Sequence, residues 1–127
     1  MISMFVKKND TVNVSVYVYE LDGIQATPIK TEIPESVGDA FKEAVFKFKM
    51  ANYGESNSIL RVAQHGATVE SAVNAIDFQM RFLSELLVDW DLEDNGKKVI
   101  VSPTAIGNLH PAIARSAVAG ALQLIKI

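Results

Sequence analysis

VESAVNAIDFQMRFLSELLVDW, residues 69–90, is the stretch that decides how the chain is read. Its large apolar residues, Val69, Val73, Ile76, Met80, Leu83, Leu87 and Trp90, advance in alternate steps of four and three, the a/d spacing of a heptad seam on one helical face. A second row, Ala75, Phe78, Phe82 and Leu86, lies beside the first, so the apolar sector is too wide to face solvent and has to meet a partner surface. Glu70, Asn74, Asp77, Arg81, Glu85 and Asp89 fill the remaining face, with Asp77 and Arg81 four apart as a surface ion pair worth roughly 0.2–0.5 kcal/mol. The spacing predicts a helix over about 68–91, capped by Thr68. Nothing on it has the makings of a reaction centre.

Working back toward the N-terminus, residues 56–65 read as a helix with Ile59, Leu60, Val62 and Ala63 inward, ended at His65 by a Gly66 cap. The two helices then form an αα-hairpin with a very short joint. Before them, Phe46, Phe48 and Met50 alternate with Lys47 and Lys49, which predicts a strand over about 43–50 and, with lysines on one side, an edge position. Pro34 to Gly38 breaks the pattern, and Ser36 with Asp39 can cap a short helical turn running to Phe41. Residues 24–33 read as a weaker strand whose Pro28 favours an edge or a bulge. Residues 11–19 alternate cleanly, Val12, Val14, Val16 and Val18 against Asn13, Ser15, Tyr17 and Tyr19, and Leu21, Asp22 and Gly23 turn this strand into a hairpin with the next.

In the other direction, Asp91 to Gly96 is acidic and turn-forming, with Asn95 and Gly96 suited to positive φ, and Lys97 to Val101 is a short strand or extended arm. Ser102 and Pro103 open a helix over 103–109, and His110 and Pro111 open another over 111–125. In the latter, Ala112, Ser116 and Gly120 make a strip of small residues that lets another backbone come close, while Ile113, Val118, Leu122 and Ile125 supply apolar bulk. The fold class expected is α+β in a single domain spanning 1–127, with 1–52 mainly strand and 53–127 mainly helix.

Bulk properties narrow the function. A chain of 127 residues is long enough for its own core, and 49% hydrophobic with 21% charged residues is globular composition. The net charge is -3, and Lys7–Lys8, Lys47 with Lys49, and Lys97–Lys98 are dispersed, so no basic stripe points to nucleic acid. There is no cysteine, hence no disulfide or thiolate metal site. Residues 1–10 lack a signal-peptide run, and residues 99–125 are interrupted by Pro103, His110, Pro111 and Arg115, so neither secretion nor a membrane span is expected.

Candidate chemistry is sparse. Asp91, Glu93 and Asn95 at alternate positions before Gly96 match the first half of a calcium loop, but the twelfth position is Ser102 where a bidentate Glu is needed and the eighth is Lys98, so an ordinary solvated turn is the better reading. His65 and His110 have no second ligand type three or four residues away, which leaves helix-end and turn roles. No nucleophile elbow and no glycine-rich phosphate loop occurs. No catalytic, cofactor-binding or metal residue is therefore assigned, and no cofactor. Trp90 reads as core with its indole N–H bonding outward at the rim, the sharper alternative being an anchor in a partner interface.

From Phe82 the run FLSELLVDWDLEDNGKKVIVSPTAIGNLHPAIARSAV resembles the tail assembly chaperones of long-tailed bacteriophages. Trp90, Asp91, Leu92, Asn95, Gly96, Ser102, Leu109 and Pro111 match that family's pattern of a W-D-L-like element, an acidic turn, an extended arm and two helix starts, and FKFKMANY, residues 46–53, is similar to its basic-aromatic strand. The resemblance implies a non-enzymatic protein of the infected host's cytoplasm. Its partners would be the long helical tape measure protein, which it keeps soluble, and tail tube subunits, which it helps recruit, before it leaves the finished particle. It also implies pairing with a longer frameshifted form of itself, this chain being the short product, and self-association is expected of the apolar rows. Phe78, Phe82, Leu86, Trp90, Ile113 and Leu122 are the residues expected to bind a partner. A head-tail connector or tail-completion protein retained in the virion is the alternative from another class.

Overall fold

A computed structural model describes residues 10–50 and 71–125, with side chains over 10–50 and 78–124. The expected helix at 56–65, the Thr68 cap, His65 and Gly66 lie outside the described residues, as do the side chains of Val69, Val73, Ala75, Ile76 and Asp77.

β1 (Thr11–Glu20) follows its valine alternation: Val14 and Val16 are buried while Thr11 and Asn13 are exposed. Asp22 at φ 54° and Gly23 at φ 105° turn the chain into β2 (Ile24–Thr27), which pairs antiparallel with β1 from Tyr17↔Thr27 to Glu20↔Ile24. β2 is shorter than the 24–33 expected. Pro28 has no N–H to give a ladder, and the Ile29 N–H donates at 3.1 Å to the Thr27 hydroxyl, which turns the chain away. That hydroxyl in turn donates to Glu32 at 3.0 Å. Two single 3₁₀ turns follow, Lys30–Glu32 and Glu35–Val37. The helical turn expected to run to Phe41 stops at Gly38, whose φ of 61° ends it, and no side chain caps its start.

β3 (Phe41–Lys49) pairs with the length of β1, Thr11↔Lys49 through Tyr19↔Phe41, starting two residues before the strand expected at 43–50. It is not an edge strand: the sheet order is β2-β1-β3-β4, and Lys47 and Lys49 stand on the sheet's outer face. On that face Tyr17 meets Phe41 edge-on at 5.8 Å and Lys30 sits 5.6 Å over the Phe41 ring.

The largest correction concerns residues 87–90. α1 (Ser71–Leu86) passes without a loop into β4 (Leu87–Trp90), antiparallel to β3, so the long helix ends four residues before Trp90. Phe48 faces Leu87 and Lys47 faces Asp89, which leaves Val88 as the extra residue of a bulge, 52% exposed. The bulge reverses the inward–outward parity, so Leu87 and Trp90, three apart, both point into the core.

Beyond β4, a small hairpin of β5 (Glu93–Asp94) and β6 (Lys97–Lys98) turns at Asn95 and Gly96, φ 53° and 79°, as their residue types predict. α2 (Pro103–Gly107) and α3 (Pro111–Ile125) complete the chain, each with proline in its first turn. α3 lies over β1 and β2, and α1 reaches the sheet through Phe82, 5.8 Å from Phe48 ring to ring. Ala112, Ser116 and Gly120 are all buried, and a Cβ on Gly120 would stand 2.6 Å from Val14 Cγ1 and 3.0 Å from Pro28 Cβ, so the small strip does bring helix and sheet into close approach. The architecture is α+β, one sheet face covered by helices. Among the described residues, no helix is long and apolar enough to cross a membrane.

Candidate functional site

Residues 89–111 fold as one bonded unit at the β4 side of the sheet. Trp90 is 3% exposed, packs edge-on against Phe46 at 6.1 Å, and donates its indole N–H to the Val99 carbonyl at 2.6 Å, as expected for a core tryptophan bonding at the rim. Asp91 continues the ladder by other means: its backbone N–H donates to the Val45 carbonyl at 3.1 Å and its carboxylate accepts the Val45 N–H at 2.8 Å. Val99 N–H donates to the Leu92 carbonyl at 3.0 Å, extending the β5–β6 hairpin by one rung. The Ser102 hydroxyl accepts the Ala105 N–H at 3.1 Å as the cap of α2. His110 is exposed, and its Nδ1 accepts the Ala112 N–H at 3.1 Å, so it serves as the polar start of α3 with any single ring proton on Nε2.

Between the hairpin and α2 lies a groove of about 540 Å³ with an apolar floor of Leu92, Val99, Ala105 and Leu109 and polar sides from Glu93, Thr104 and Asn108. Ile100 stands at its rim, 82% exposed. Residues 99–101 are all β-branched, and because an extended arm alternates, one of the three must face away from the chain. Reading Lys97 to Val101 as a short strand or extended arm did not single out Ile100, because the apolar triplet does not say which of its members faces outward.

The residues expected to bind a partner do not form one exposed surface. Phe82, Leu86 and Trp90 are buried in the chain's own core, and Phe78, Ile113 and Leu122 are half-buried against it. The physical reason is that β1 and β3 present Val14, Val16, Phe46 and Phe48 to the same side, and these cover Phe82, Leu83, Leu86, Leu87 and Trp90 within the chain, while Met80 of the same row stays 37% exposed.

A second hollow of about 300 Å³ on the outer sheet face is lined by Asn13, Val45, Lys47, Asp89, Glu93 and Lys98, among others. There Lys98 Nζ lies 3.1 Å from one Asp89 carboxylate oxygen and 3.2 Å from the other. The Lys98 ammonium bonded to Asp89 holds that carboxyl below its ordinary value of 3.8, with help from the Trp90 backbone and Lys47. A depressed folded-state value means the pair contributes stability above the unfolded value and loses it as pH falls through the folded one. In Lys98→Ala the Asp89 titration should therefore move up toward 3.8, read from the side-chain carboxyl carbon by NMR. An unmoved midpoint would show that the contact is not populated in solution. Among the described residues, no group of three or more His, Cys, Asp or Glu is placed to hold a metal ion.

Compared with protein-family models, curated proteins and solved structures, the chain finds no match.

Proposed function

We propose that the chain is a tail assembly chaperone of a long-tailed bacteriophage, a non-enzymatic protein that holds the tape measure protein in solution in the host cytoplasm, helps recruit tail tube subunits and leaves before the particle is complete. The observation that carries this reading is the groove: Trp90, Leu92, Ser102 and Leu109, four of the residues behind the family resemblance, line it beside the exposed Ile100. An apolar floor with polar sides suits the apolar stripe of an amphipathic helix, read by anchors three and four residues apart. The buried part of the heptad rows, from Phe82 to Trp90, stabilises the chain itself, and the contact with its client falls to the arm and to the half-buried fringe of Phe78, Ile113 and Leu122.

Co-expression with the tape measure protein tests this. The wild-type chain should raise that protein's soluble fraction, and Ile100→Asp should return it to the level without the chain. An exposed site such as Ile100 tolerates substitution within about 0.5 kcal/mol, so the variant's circular dichroism should match wild type. Equal solubility with and without the wild-type chain would defeat the proposal. Mass spectrometry of purified virions should find no peptide from this chain; its presence there would favour a retained connector instead.

A further inference from the structure

We propose that two copies of this chain join edge to edge through Thr11–Ser15 of β1, antiparallel about a two-fold axis at Asn13. β1 is 10 residues long, yet β2 pairs only with Tyr17–Glu20. Among the described residues, no strand lies beside Thr11–Ser15 on that flank.

The phase of the ladder decides which backbone groups face the gap. Val45 directs both its N–H and its carbonyl at Asp91, away from β1, so Ser15 opposite it is a non-bonded pair. At the other end the Met50 N–H donates to the Asp10 carbonyl at 2.9 Å, in the same phase. Thr11, Asn13 and Ser15 therefore point their N–H and C=O groups outward, and among the described residues no strand meets them.

Natural sheets blunt such edges with charge, proline, bulges or brevity. β2 is 4 residues long and runs into Pro28; β4 is 4 residues long, bulged, and carries Asp89 bonded to Lys98. From Thr11 to Tyr19 there is neither charge nor proline. An unprotected edge of this kind is a pairing surface.

Self-complementarity selects a second copy as the occupant. With the axis at Asn13, Thr11 faces Ser15 of the second copy and Val12 faces its Val14. Every outward donor then meets an acceptor, polar side chains meet on the open sheet face, and valines meet on the helix-covered side. A shift toward β2 runs the second strand into Thr27, and a shift the other way leaves part of the window unpaired. A window this short buries less than the ~1,200 Å² of a standard interface, so the dimer dissociates on dilution.

Light scattering and sedimentation of the full chain across a concentration series test this. The mass should rise from 13.9 kDa toward twice that value. Asn13 faces Lys47 within its own chain, so Asn13→Glu gains an attraction there and a repulsion across the axis. It should stay at monomer mass with wild-type circular dichroism, as should Asn13→Lys. An equal mixture of the two variants should regain the dimer, which misfolded chains cannot do. A wild-type mass of 13.9 kDa at every concentration, a dimeric Asn13→Glu, or a mixture that stays monomeric overturns the proposal.

Discussion

Trp90→Ala should destabilise the chain by about 3–5 kcal/mol, seen as a lower urea midpoint at unchanged slope. The indole fills the space between β3 and the 99–101 arm, with Phe46 edge-on to it and Val99 accepting its N–H. Truncation leaves a cavity, and it also removes the donor that ties the arm to the core. Trp90→Phe separates the two effects, since it keeps most of the ring packing and deletes only the bond. That variant should cost about 1–2 kcal/mol and raise amide exchange through the arm more than through β1. A Trp90→Ala protein within about 1 kcal/mol of wild type would place the ring outside the core, contrary to the burial described above.

Gly120→Ala should also destabilise, against the usual helical trend. Alanine in a helix interior gains about 1 kcal/mol over glycine. Here the added methyl would stand 2.6 Å from Val14 Cγ1 and 3.0 Å from Pro28 Cβ. Valine is stiff at χ1 and the proline ring cannot swing aside, so relief has to come from moving α3 off the sheet. Overpacking of this kind costs about 1–3 kcal/mol, leaving the variant up to about 2 kcal/mol worse than wild type. In a Val14→Ala background the same change should cost less, because the nearest clashing methyl is gone. A double-mutant cycle in chemical denaturation reads that coupling directly. Equal costs in both backgrounds would mean that helix and sheet do not meet at this point.

Much of the fold is legible in residue order, and the failures have physical causes. β1 is legible because four valines at a spacing of two allow no other phase, and the two hairpin turns are legible because Asp22–Gly23 and Asn95–Gly96 supply positive φ. β4 is not legible. A bulged strand places residues three apart on one side, as a helix does, so Leu87 and Trp90 satisfy both periods equally. The central place of β3 is hidden for a similar reason: Lys47 and Lys49 need only a solvated face, which an interior strand of a one-sided sheet provides as well as an edge does. Of the site, the buried tryptophan and the Ser102 cap can be read from residue types and neighbours. Ile100 cannot be placed, since three β-branched residues in a row carry no phase until the Val99–Leu92 rung sets it.

The direct passage from α1 to β4 has a mechanical consequence. Turning a helix by one residue rotates it through roughly 100°, and a connecting loop normally absorbs such motion. Between Leu86 and Leu87 there is no slack, so any torque on α1 arrives undiminished at the rungs facing Phe48 and Lys47. The helix is latched to the ladder like a shaft keyed to its gear. Whatever grips it either leaves it in place or strips the sheet's last strand.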